Sequence, residues 1–235
     1  MVKTSLSNIK VRRYETNPII QPNMSNRIGS NINGPSLIRV PKWIEMPLGK
    51  YYLYFSNHKG RSIFLAYADQ LIGPWKIYEP GSLDLEDSHF LQSSPDPPEG
   101  IKVEAFQEQG DARVPTKREN MTLPHIASPD VHVLEDRQEI WMYYHGLEGF
   151  GYQASRVAVS KDGIHFTAHK ELVVDRSYLR VFPFRGYYYG MAMPGVFYRS
   201  PNGLSGFEQG PTLFNPNMRH AGMMVMGDRL LVFWT

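Results

Sequence analysis

The sequence predicts an all-β chain, a β-propeller of the five-bladed type that is C-terminally incomplete, carrying about three and a half blades. Three observations predict it. Aromatic-rich apolar runs recur at a period of roughly 45 residues, each preceded by a shorter alternating strand, which is the repeat of a four-stranded blade. Turn formers are abundant, with 20 glycines and 18 prolines, and aromatic residues make up 13% of the chain, the mixture that many short strands require. Helical periodicity is poor; its best stretch, residues 101–109, is short and sits in a loop-like region. A β-sandwich would also alternate short strands with turns, but it would not repeat their order and offsets.

The elements follow in order after an N-terminal segment over residues 1–30. Blade 1 (31–79) contains an alternating strand at 37–40, the run Tyr51-Tyr52-Leu53-Tyr54-Phe55, a third strand at 63–67 and the turn Gly73-Pro74-Trp75. An insertion rich in Pro, Ser and acidic residues (80–124) roughly doubles the usual spacing and reads as a long loop. Blade 2 (125–176) repeats the pattern with 131–134, Ile140-Trp141-Met142-Tyr143-Tyr144, 156–159 and the turn Ser160-Lys161-Asp162-Gly163-Ile164-His165-Phe166. Blade 3 (177–217) does so with 180–183, Tyr187-Tyr188-Tyr189, 195–198 and Ser200-Pro201-Asn202-Gly203. A partial blade 4 (218–235) reaches its second strand at Leu230-Leu231-Val232-Phe233-Trp234. A blade ending there leaves an unpaired edge, so self-association through the C-terminal edge is expected.

Composition excludes several classes. Lys and Arg number 25 against 23 acidic residues, a near balance that gives no electrostatic case for a nucleic-acid or anionic-membrane partner. The chain has no cysteine, which removes disulfide scaffolds and thiolate chemistry. His125, His132 and His145 match no metal-ligand spacing, so no metal and no other cofactor is expected. The first 13 residues lack the apolar centre of a secretory signal, which points to the cytoplasm.

In a propeller the innermost strands converge on the axis, so polar residues at their starts share a pocket however far apart they lie in sequence. Those starts read Asn31-Ile32-Asn33-Gly34-Pro35-Ser36, His125-Ile126-Ala127-Ser128-Pro129-Asp130, Tyr178-Leu179-Arg180 and Arg219-His220-Ala221-Gly222. Candidate ligand-binding residues are therefore Asn31, Asn33, His58, His125, Arg180 and Arg219, and candidate catalytic residues are Asp130 and His220. This mix of Asn, His, Asp and Arg hydrogen-bonds hydroxyls and carboxylates, so a carbohydrate is the expected ligand. A protein-interaction propeller would not need such polar residues gathered at its inner-strand starts.

The pairs Ser128-Pro129-Asp130-Val131 with Trp141-Met142-Tyr143-Tyr144, and Gly34-Pro35-Ser36 with Tyr51-Tyr52-Leu53-Tyr54, resemble the five-bladed propeller glycosidases of families 43, 32 and 117. The resemblance implies cleavage of a glycosidic bond by acidic groups from the first three blades. Asp130 falls on the second-blade orienting carboxylate. The first-blade Asp falls at Gly34, with Asn33 beside it, and the third-blade Glu falls near Arg180. Two of the three acids are absent from their expected places. The resemblance to the neoagarobiose hydrolases offers His220 as general acid; Arg219 beside it is placed to hold a sugar carboxylate or to raise the field on a leaving oxygen, and the Arg-rich lining points to an acidic or anhydro sugar. Asp111, Glu104 and Glu119 in the insertion are further candidate carboxylates. The alternative is a carbohydrate-binding propeller without catalysis.

Overall fold

The computed structural model describes residues 10, 12–100, 121–214 and 218–234. The helical candidate at 101–109 and the carboxylates Glu104, Asp111 and Glu119 lie outside the described residues. The described chain is all-β. Three four-stranded antiparallel meanders are followed by a two-stranded hairpin. Sheet 1 comprises β1 (Ile32–Arg39), β2 (Tyr51–Asn57), β3 (Ser62–Ala68) and β4 (Lys76–Asp84). Sheet 2 comprises β5 (Ile126–Leu134), β6 (Glu139–Gly149), β7 (Tyr152–Ser160) and β8 (Thr167–Ala168). Sheet 3 comprises β9 (Arg180–Phe184), β10 (Tyr187–Ala192), β11 (Val196–Ser200) and β12 (Glu208–Thr212). The hairpin pairs β13 (Ala221–Met226) with β14 (Arg229–Trp234).

The aromatic runs are the second strands, and they hold the blades together. Tyr52, Tyr54, Trp141, Tyr143 and Tyr144 are almost wholly buried, because sheets 1 and 2 are covered on both faces. One core lies between sheets 1 and 2, around Tyr54, Leu65, Ile126 and Met142. A second lies between sheets 2 and 3, around Trp141, Val157, Val181 and Tyr198. On the far face of sheet 1, Ile28, Met24 and Ile19 from the segment before β1 cover Phe55, Phe64 and Trp75. A hydrogen bond repeats from blade to blade. Tyr54 Oη donates to the carbonyl of Gly163 at 2.6 Å, and Tyr143 Oη donates to that of Gly203 at 2.8 Å. Both acceptors sit in the turn between third and fourth strands, where Ser160 and Ser200 hydroxyls accept the turn's backbone N–H groups. The turn motif thus presents a carbonyl to the preceding blade as well as reversing the chain.

Among the innermost strands, β1 packs beside β5 and β9 beside β13, and β1 and β5 bulge in the same way. Register slips between Asn33 and Ser36 in β1 and between Ala127 and Asp130 in β5. In each bulge a residue of positive φ (Gly34 at +63°, Ser128 at +54°) precedes a proline. Gly34 thereby matches Ser128, and Ser36 matches Asp130. The two bulges also touch: a Cβ on Gly34 would stand 2.8 Å from the Ser128 Cα. Position 34 therefore has no room for any side chain, an Asp included. Gly34→Ala combines a left-handed backbone with a clash against main chain, so it is expected to destabilise the fold by about 2 kcal/mol or more. A thermal melt followed by circular dichroism checks this.

Candidate functional site at the propeller axis

A polar cleft of about 270 Å³ opens between the four inner strands, lined by Ser36, Asp130, His132, Arg180 and the β13 backbone around Gly222. Asp130 is its one carboxylate among the described residues. The bulge in β5 turns this side chain toward β9, where Oδ2 accepts the Val181 N–H at 2.8 Å. The same oxygen lies 2.8 Å from His132 Nε2, and Arg180 Nη1 stands 3.6 Å from Oδ1. Arg180 is fixed by donating to the Pro129 carbonyl at 2.6 Å. Burial by itself would raise the carboxyl pKa. The charge and hydrogen bond of His132, the Arg180 guanidinium and the Val181 N–H outweigh it, and the net shift is downward. Asp130 is therefore an ionised group with fixed partners.

Ser36, in the equivalent place on blade 1, accepts the Val131 N–H at 2.9 Å. Its hydroxyl ties blade 1 to blade 2. The polar atoms of Asn33 are used within blade 1: Oδ1 accepts from Ser56 Oγ at 3.2 Å and Nδ2 donates to the Asn31 carbonyl at 3.2 Å. Asn31 in turn donates its backbone N–H to Asn57 Oδ1.

The remaining expected site residues gather at the starts of the inner strands in a second cluster. His125 and His145 rings lie 6.1 Å apart, His145 and Tyr178 4.5 Å, and Tyr178 and His220 4.6 Å. Arg219 donates from Nε and Nη2 to Tyr178 Oη at 3.1 and 2.7 Å. His125 donates Nδ1–H to the Leu123 carbonyl, and His145 Nδ1 accepts the Tyr178 N–H at 3.4 Å. His125 and His145 are buried, whereas His58, Arg219 and His220 are exposed at the rim. Arg180 joins the clusters, since it faces Asp130 on one side and acts electrostatically on His145 and His220 on the other.

Every histidine of this rim is held below its ordinary pKa. For His145 the causes are burial first, then His125, Arg180, His220 and Arg219. His220 is lowered by burial, Arg219, Arg180 and His58, and His58 by burial, Lys59 and Arg219. His125 is lowered by burial against the opposing Leu123 hydrogen bond, with Lys59 and His58 adding to the effect. The consequence for stability follows from linkage. Above pH 6.5 these groups are neutral folded or unfolded; below it the unfolded chain binds protons that the folded chain refuses. Stability is therefore complete above pH 6.5 and falls as pH drops below it, by up to about 1.4 kcal/mol per pH unit for each of the buried His125 and His145, with solvent screening leaving the exposed His58 and His220 a smaller share. Asp130 acts only below pH 3.8, outside this window. Melting temperatures from pH 8 to 5 should show the decline, and His145→Gln should flatten it.

Three site residues escaped the sequence reading. His132 stands two positions after Asp130, so strand alternation places both on one face, and that signal was available. His145 and Tyr178 meet across 33 residues of chain. Tyr178 also has a φ of +59°. No local pattern reports either feature.

No family model matches the chain. It is 31% identical over 252 residues to the uncharacterized protein R118 of Acanthamoeba polyphaga mimivirus, an alignment covering 96% of this chain and 65% of that protein. Among solved structures it resembles an α-L-arabinofuranosidase of family GH43 from Clostridium thermocellum, with a TM-score of 0.57 and 17% identity over 88% of this chain and 61% of that one. It also resembles the GH43 protein BlXynB of Bacillus licheniformis, with a TM-score of 0.56 and 12% identity over 93% of this chain and 37% of that one. A third is the exo-β-1,3-galactanase of Phanerochaete chrysosporium, at 0.53 and 11% over 88% and 44%. The chain thus spans less than two thirds of each of these proteins.

Proposed function

We propose, from a fold shared with propeller glycoside hydrolases of family GH43, that the chain cleaves a glycoside held in the axial cleft. The observation that carries this reading is the Asp130–His132–Arg180 constellation, an ionised carboxylate bonded to an imidazole at the convergence of the inner strands. Glycoside hydrolysis needs one group to give a proton to the leaving oxygen and another to take one from water. Asp130 orients the other two and stabilises positive charge. His132, with Asp130 on Nε2, has Nδ1 left to exchange a proton with the leaving oxygen. His220, kept neutral near pH 7 by burial, Arg219, Arg180 and His58, suits the base. Water then adds to the anomeric carbon, the carbon–oxygen bond breaks, and the two protons pass to His220 and from His132.

A second reading, a propeller that binds carbohydrate without cleaving it, is favoured by the single carboxylate in the cleft and by the sterically closed position 34. The test is a mass-spectrometric screen of an oligosaccharide panel. Hydrolysis predicts shortened sugars with the unmodified protein and a loss of about a hundredfold or more in His220→Gln. Sugars bound but returned intact would support the second reading.

A further inference from the structure

At the rim above the cleft, Arg219 has no carboxylate partner among the described residues, whereas Arg180 below it faces Asp130. His58, His125, His145 and His220 act on one another and feel Lys59, Arg180 and Arg219, and no carboxylate is among the groups that shift them. No carboxylate among the described residues pairs with Arg219, whose guanidinium instead lies against the Tyr178 ring, 5.2 Å from its centroid, and bonds its hydroxyl. A guanidinium has five N–H donors, and the Tyr178 hydroxyl engages groups on one edge, so donors remain for a ligand. Tyr178 is held in the left-handed region at φ +59°, a costly conformation for a bulky residue, by packing between His145 and His220. A guanidinium at a cleft mouth, on a strained support and with no carboxylate beside it among the described residues, is arranged to meet negative charge.

We propose that this rim is an oxyanion site, in which Arg219, supported by Tyr178 and flanked by His58 and His220, receives the phosphate, sulfate or carboxylate of a charged sugar. The proposal rests on the reading of the axial cleft as a carbohydrate site and adds the charge class of the sugar. The neutral imidazoles serve as hydrogen-bond donors and acceptors around the anion, while Arg219 supplies the charge. Uncharged sugars would reach the cleft but leave the rim unsatisfied.

The experiment is calorimetric titration of the full chain, at low ionic strength and pH 7.5, with three matched pairs. These are glucose 6-phosphate against glucose, galactose 6-sulfate against galactose, and galacturonate against galactose. At least one charged sugar is expected to bind about tenfold or more tightly than its neutral parent, the scale of a charge-assisted contact. Which pair shows the largest ratio identifies the anion. Arg219→Gln should remove that preference, and since Arg219 is exposed its replacement leaves the core intact. His58→Gln, in the turn between β2 and β3, provides an independent variant and should reduce the preference. Equal binding within all three pairs, or no binding of any charged sugar, overturns the proposal, as does a preference that persists in Arg219→Gln. The two readings fail separately. Cleavage of neutral glycosides without charge preference sinks the oxyanion site alone, while tight charged-sugar binding without any cleavage sinks the hydrolytic reading alone.

Discussion

Asp130→Asn is expected to lower kcat/KM at least a hundredfold while the protein still folds. The substitution keeps the shape of the side chain and an oxygen able to accept the Val181 N–H. It removes the charge that both His132 and Arg180 face. Without that charge His132 loses its orienting partner, and loss of a positioned acid–base group is worth about 10²–10⁴ in rate. Stability also falls, because Arg180 is only 14% exposed and is left as an uncompensated cation, a loss of up to about 3–5 kcal/mol. Circular dichroism melts measured beside the kinetics separate the two effects, with rates read well below the mutant's midpoint. Activity equal to the unmodified protein in a folded Asp130→Asn would remove Asp130 from the site.

Trp141→Ala is expected to cost about 3–5 kcal/mol of stability through packing alone. The indole has no exposed surface and stacks on Tyr188 of sheet 3 with ring centres 5.7 Å apart. Its Nε1–H donates to Glu139 at 2.9 Å, and its ring also borders Gly203 in the turn of the next blade. Truncation opens a void between sheets 2 and 3 that neither sheet can close, because Tyr143 fixes their spacing through its bond to Gly203. Urea unfolding should show a midpoint shift of that size. Tyr187→Ala is the control: its ring is 42% exposed, so it should cost far less.

The repeat was the legible part of the fold. Second strands such as 51–57 and 139–149 are buried on both faces, so their aromatic runs stand out from any surrounding sequence. The outermost strands were harder to see individually. β12 reads Glu-Gln-Gly-Pro-Thr with every residue exposed, and β8 has only Thr167 and Ala168, so neither carries an apolar pattern. In the site, Asp130 was readable because a proline and an alternating strand fix its place. The absence of a first-blade acid was readable as Gly34, but its cause was not: the obstruction is the Ser128 backbone, 94 positions away. The rim cluster was half visible. His125, Arg219 and His220 lie at strand starts, while the Tyr178 and His145 rings that bridge them are set by contacts between blades.

The most direct measurement is a crystal structure of Asp130→Asn soaked with the oligosaccharide that the product screen identifies. The sugar ring is expected between His132, Arg180 and the β13 backbone, with the scissile oxygen within hydrogen-bonding reach of His132 and the nearest ring substituents toward Arg219. Sugar bound elsewhere on the propeller, with the axial cleft empty, would contradict it.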